Sequence, residues 1–142
     1  VGDYEGCRAL SRHCGVPIIL DESFVKVGQF PLIEGEPSLW ILNIRVSKMG
    51  GLLRACTVAA RAKAAGIPIV VGAQVGETSI LTRVALVVAD RYRDILIAQE
   101  GAVGTHLLEY DLCEPPLMFG RGGCLADTVF YGRSGLGLSF AR

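Results

Sequence analysis

The sequence has no C-x-x-C pair and only two histidines, His13 and His106, so no zinc-ligand spacing is present. Its five cysteines (Cys7, Cys14, Cys56, Cys113, Cys124) are an odd number, and a closed disulfide framework cannot use them all. Free thiols in a reducing cytoplasm are the expectation. There is no excess of charge of either sign, with 14 basic against 14 acidic residues, so neither nucleic acid nor an anionic membrane is an expected partner. No apolar run approaches the length of about 18 residues that a membrane span needs. Aromatic residues are scarce at 7%. Val1-Gly2-Asp3-Tyr4-Glu5 is neither an initiator methionine nor a signal peptide, and we expect a piece of a longer protein.

What is present is 51% hydrophobic residues and 18 scattered glycines in 142 residues, enough for one domain with a real core. Val16 to Leu20 is an apolar run that reads as a strand buried on both faces. Phe24 to Leu39, interrupted by Pro31 and Pro37, holds only a short helix or turn. Trp40 to Ser47 is a second strand, and Lys48-Met49-Gly50-Gly51 a turn. Leu52 to Ala65 carries Leu52, Ala55, Cys56, Ala59 and Ala62 as one helical stripe, with Gly66 as its stop. Ile67 to Val71 is a third strand. Thr78 to Asp90 is a helix with Ile80, Leu81, Val84, Val87 and Val88 on its apolar face, and Ile95 to Ala98 a fourth strand. Beyond Gly101 the pattern dissolves into glycine- and proline-punctuated chain.

Strands alternating with helices across short connections predict an α/β fold with a parallel sheet, either open and doubly wound or part of a (β/α) barrel. Both place ligand chemistry at the carboxyl ends of the strands. The polar residues collect there: Asp21 and Glu22 after the first strand, Arg45 and Lys48 at the second, Gln74 and Glu77 after the third, Gln99 and Glu100 after the fourth. Strand parity puts Asn43, Arg45 and Ser47 on one face and Leu42, Ile44 and Val46 on the other. Lys48 has the apolar parity and reaches the site only if the chain turns at Met49-Gly50-Gly51. Asp21 can hold a divalent cation through oxygen, or cap the next segment and pair with Arg45. A cation on the adjacent strand can stabilise an enolate or, as a lysine, remove a proton. The glycine-rich Gly120 to Gly123 fits no dinucleotide fingerprint, and His106 near Glu109 and Asp111 reads as a solvated loop residue.

Three segments together resemble the mandelate racemase and muconate lactonizing enzyme branch of the enolase superfamily. They are Leu20-Asp21-Glu22-Ser23, Asn43-Ile44-Arg45-Val46-Ser47-Lys48-Met49-Gly50-Gly51 and Gln74-Val75-Gly76-Glu77-Thr78-Ser79. The closing Gly135-Leu136-Gly137-Leu138 also looks like the end of many such chains. The resemblance implies the C-terminal half of a (β/α)7β barrel with outer helices: barrel strands five to eight in residues 1–104, and an irregular tail in 105–142. It implies a magnesium-dependent enzyme that abstracts a proton α to a carboxylate, as a racemase, epimerase, cycloisomerase or dehydratase. Asp21 looks like the last of three metal ligands. Arg45 occupies the position of the family's sixth-strand catalytic lysine; arginine stays protonated and is a poor base, which leaves Arg45 as an electrostatic stabiliser and Lys48 as the nearest alternative base. Asn43, Gln74, Glu77 and Glu100 are the expected contacts to a small carboxylate substrate. Two earlier metal ligands, a lysine pair and a capping domain have no counterpart here, so the isolated chain is expected to be inactive. Open strand edges predict a homo-oligomer. The alternative is a non-catalytic small-ligand-binding or interaction module built on a doubly wound sheet.

Overall fold

The computed structural model describes residues 2–125 and 132–141. Four strands, β1 (Ile18–Leu20), β2 (Trp40–Arg45), β3 (Ile69–Gly72) and β4 (Leu96–Gln99), form one parallel sheet in the order β1-β2-β3-β4. The order follows the sequence and does not reverse, so among the described residues the sheet is not doubly wound, because a doubly wound sheet needs a switch point. Ile18 pairs with Trp40, Leu42 with Ile69 and Val71 with Gln99; an irregularity between Ile69 and Val70 shifts the last pairing.

Four helices accompany the strands: α1 (Tyr4–Cys14), the single turn α2 (Val46–Met49), α3 (Leu52–Ala65) and α4 (Ser79–Arg91). The core lies between them and one face of the sheet. Trp40, Leu42, Ile44, Ile69 and Val71 are fully buried there against Ala55, Ala59, Ala62, Ala85 and Val88. The small residues let the helices lie close to the β-branched strands, which is the packing that their alternation with longer side chains permits. Gly66 ends α3 in the left-handed region and donates its N–H to Ala62 and Lys63 carbonyls.

Several expectations change. α1 is an element additional to those expected, with Ser11 as its one buried residue. It starts at Asp3, whose carboxylate accepts the Gly6 N–H at 2.8 Å, and docks through Arg8. Arg8 lies 5.6 Å from the Trp40 ring centroid, donates to the Leu32 carbonyl at 2.8 Å and pairs with Glu36 at 2.8 Å. Burial on both faces does not hold for the first strand, since Ile19 is 54% exposed. The sheet face opposite the helices is bare around it. On α4 the buried positions are Ser79, Thr82, Ala85, Val88 and Ala89; of the five predicted, only Val88 is among them, because the smaller face turns toward the sheet. The segment after Phe24 forms two 3-10 turns, Val27–Leu32 and Pro37–Leu39.

After β4 the described chain forms only short 3-10 turns and isolated bridges, as its composition implies. It is tied to α4 by Asp111, which accepts the Ser79 N–H at 2.9 Å, the Ser79 hydroxyl at 2.8 Å and the Cys113 N–H at 2.9 Å. The Ser79 oxygen in turn accepts the Leu117 N–H at 2.7 Å. The Arg83 Nε donates to the Leu136 carbonyl at 2.9 Å, seating the Gly135 to Leu138 segment on α4. Residues 126–131, within the predicted tail, lie outside the described residues. No helix among the described residues is long and apolar enough to cross a membrane.

Candidate active site

The site begins where β1 and β2 end. Asp21 follows the last residue of β1, and Arg45 is the last of β2. The Arg45 guanidinium donates from Nη2 to Asp21 Oδ2 and from Nη1 to Gln74 Oε1 at 3.1 Å. The Glu22 carboxylate lies 3.4 Å from the same Nη1. A planar, permanently charged fork suits this division between three acceptors. The side chains of Asp21 and Arg45 are 22% and 19% exposed, so the pair is screened from bulk water without being sealed from it.

Lys48 also reaches Asp21, which strand parity argues against. β2 stops at Arg45 and the chain turns at once into α2, earlier than the turn predicted at Met49-Gly50-Gly51. That single helical turn swings Lys48 round to the side of Arg45. Its Nζ donates to Asp21 Oδ1 at 2.5 Å, to the Asp21 carbonyl at 2.8 Å and to the Asn43 carbonyl at 2.9 Å. Burial lowers the Lys48 pKa from its ordinary value, and the neighbouring Asp21 carboxylate works against that shift.

Asn43 sits two residues before Arg45 on the same face, 6% exposed. Its amide packs on Gly72 of β3, where a Cβ would come within 2.0 Å of Asn43 Oδ1. Only glycine permits that approach. Asn43 Oδ1 and Arg45 Nε are both buried, with no hydrogen-bond partner among the described residues.

The ends of β3 and β4 carry carboxylates in a different setting. Glu100 Oε2 accepts the Ala73 N–H at 3.1 Å. Glu77 is 4% exposed; burial raises its pKa, opposed by a backbone hydrogen bond from Gln74 and by the charge of Arg45. Of the residues expected at the site, the structure thus joins Asp21, Arg45, Lys48, Asn43 and Gln74 by direct contact. Glu77 and Glu100 stand beside them, turned to backbone groups. His13 and His106 are exposed and lie elsewhere. The contact of Lys48 with Asp21 is the feature that strand parity alone misses; the Gly50-Gly51 pair after it was the available signal that the strand does not continue.

The donor set can be weighed against a divalent cation. Asp21 offers hard carboxylate oxygens at a strand end, the donor type that magnesium prefers. Each of its two oxygens already accepts from a cation, Arg45 on one and Lys48 on the other. Among the described residues no group of three His, Cys, Asp or Glu could hold a metal ion. The described residues do not by themselves make a magnesium site.

Comparison with known proteins places the fold in a family. N-acetyl-D-glutamate racemase from a Pseudoalteromonas species is 31% identical over 81 residues, covering 56% of this chain and 25% of that protein. The L-Ala-D/L-Glu epimerase from Bacillus subtilis superposes with a TM-score of 0.80 at 25% identity, over 99% of this chain and 37% of the epimerase. For 2-chloromuconate cycloisomerase from Rhodococcus opacus 1CP the TM-score is 0.73 at 27% identity, over 84% of this chain and 32% of that one. The chain therefore spans 25% to 37% of the length of these relatives. The sequence profile of the family described as enolase C-terminal domain-like matches residues 1–142, and the chain belongs to that family, whose members compared here are racemases, epimerases and cycloisomerases.

Proposed function

We propose that this chain forms one wall of the active site of an enzyme that removes a proton α to a carboxylate, as a racemase, epimerase, cycloisomerase or dehydratase. The observation that carries the reading is the convergence of Asp21, Arg45, Lys48 and Gln74 at the carboxyl ends of three adjacent parallel strands. In this reading the four strands are the last four of a (β/α)7β barrel in residues 1–104, and residues 105–142 are the tail. The face opposite the helices, bearing Ile19, Asn43 and Arg45, is the barrel interior. The order of the strands and the helices gathered on one face support it.

Arg45 keeps its proton, so it works here as a fixed positive charge against the negative charge that builds on the substrate carboxylate. Its unpartnered Nε–H and the Asn43 Oδ1 are the buried polar atoms on this wall still to be satisfied. Gln74, Glu77 and Glu100 line the same rim. Among the described residues of this chain Asp21 is the one expected magnesium ligand. The further carboxylates, and the group that takes the proton, come from outside it, so the 142-residue chain alone is inactive. Its open sheet edges at β1 and β4 favour a partner chain, which makes a homo-oligomer the expected assembly. The five cysteines, all free, accord with the cytoplasm.

The test is α-proton exchange in deuterated water. A polypeptide containing this chain and the remaining barrel strands is incubated with a panel of small carboxylates, with and without magnesium. Exchange that needs magnesium and disappears in Asp21→Asn supports the reading. Exchange untouched by Asp21→Asn and by Arg45→Gln would remove these residues from the site.

A further inference from the structure

The geometry points to Lys48 as a positioning residue: it acts through Asp21, turning that carboxylate so that Oδ2 faces Arg45, and it is not the group that moves the substrate proton. This deepens the reading above and rests on it. A lysine ammonium has three N–H donors and no acceptor. All three meet acceptors here, at Asp21 Oδ1, the Asp21 carbonyl and the Asn43 carbonyl. The side chain is 9% exposed. A base must present a free lone pair toward the reacting proton; Lys48 presents nothing outward.

The three acceptors also explain what the contact achieves. Two belong to the residue after β1 and one to the interior of β2, so one nitrogen pins the end of one strand to the next. The carboxylate cannot rotate without losing its bond to Lys48. With Oδ1 held, Oδ2 is left for Arg45, whose other contacts, to Gln74 and Glu22, tie the guanidinium to the end of β1 and the loop after β3. A charge-assisted clamp of this kind orients as well as stabilises. The order of roles is then Lys48 on Asp21, Asp21 on Arg45, and Arg45 on the substrate.

The chain has only three lysines, Lys26, Lys48 and Lys63, and Lys26 and Lys63 are exposed. This makes the nitrogen directly observable. In a proton–nitrogen NMR spectrum of the folded 142-residue chain near neutral pH, one lysine ammonium signal should be protected from exchange with water, and it should show a through-hydrogen-bond coupling to the Asp21 carboxyl carbon. In Lys48→Met the Arg45 guanidinium, locked in the wild type, should regain free rotation, while backbone signals of α3 and α4 stay in place. No protected ammonium in the wild type, or an Arg45 that stays locked in Lys48→Met, overturns the assignment. If Lys48→Met does not fold, the wild-type coupling alone decides. The measurement needs no turnover, so its failure removes the clamp and leaves the proton-abstraction reading standing, and failure of that reading leaves the clamp intact.

Discussion

The two ends of the site use carboxylates differently. At β1 and β2 the Asp21 carboxylate meets side-chain cations, Arg45 and Lys48. At β3 and β4 the carboxylates of Glu77 and Glu100 meet backbone N–H groups of residues 73 and 74, and Asp111 likewise holds the start of α4. The first arrangement fixes opposite charges against one another at the ends of β1 and β2. The second fixes the path of the loop between β3 and α4, and so the position of Gln74. One end supplies the field and the other the shape, and a substitution should reveal which by what it disturbs.

The largest effect is expected where charge is left uncompensated. Asp21→Asn strands two poorly exposed cations beside a neutral amide, and breaking a well-buried pair in this way costs about 3–5 kcal/mol. With the side chains about a fifth exposed, about 2–3 kcal/mol is expected for Asp21→Asn in chemical denaturation. A loss below about 0.5 kcal/mol would mean that the pair is solvated like an ordinary surface bridge.

Next comes the loop side. Asp111→Ala removes three hydrogen bonds and leaves the Ser79 and Cys113 N–H groups without their acceptor. A cost of about 2 kcal/mol is expected, with faster amide exchange at the start of α4 and none at Arg45. Loss of order at Arg45 as well would show that the two ends are not independent.

Gly72→Ala tests the seam between them. Its Cβ would lie 2.0 Å from Asn43 Oδ1, and overpacking of this kind costs about 1–3 kcal/mol. Adding Asn43→Ala should recover most of that loss, since the two changes share one contact. Simple additivity would show that the strain lies elsewhere.

The smallest effect concerns pH. Glu77 has a folded pKa raised by burial, so the folded chain binds more protons than the unfolded one between the ordinary glutamate value and the raised value. Stability should therefore fall as pH rises through that window. Glu77→Gln should flatten the decline and stabilise the chain slightly at neutral pH, with no gain at acid pH. A steeper decline in the variant would contradict the assignment of burial as the cause.

Much of this was legible in the residues. The strand at Trp40 was recognisable because apolar and polar positions alternate, and the helix over Leu52 to Ala65 because alanines recur at helical spacing. Asp21 and Arg45 were legible because each stands directly at a strand end, where chain direction dictates the side-chain direction. α1 was not legible, since it buries one serine and docks through an arginine laid on Trp40. Its apolar contacts with the core come from the partly buried Tyr4 and Cys7. Lys48 was misplaced by parity because a strand extended through Ser47 sends it to the apolar face.

The sequence by itself determined the alternation of strand and helix, the family and the residues standing at the strand ends, because these depend on local pattern and on chain direction. Tertiary structure decided which of those residues meet. Lys48 joins Asp21 because β2 gives way to a helical turn directly after Arg45, and Asn43 fits because Gly72, the β3 partner of Arg45, has no Cβ to meet its amide. Contacts between distant residues depend on where a strand ends and what lies across from it, and neither is encoded in the spacing of the residues that touch.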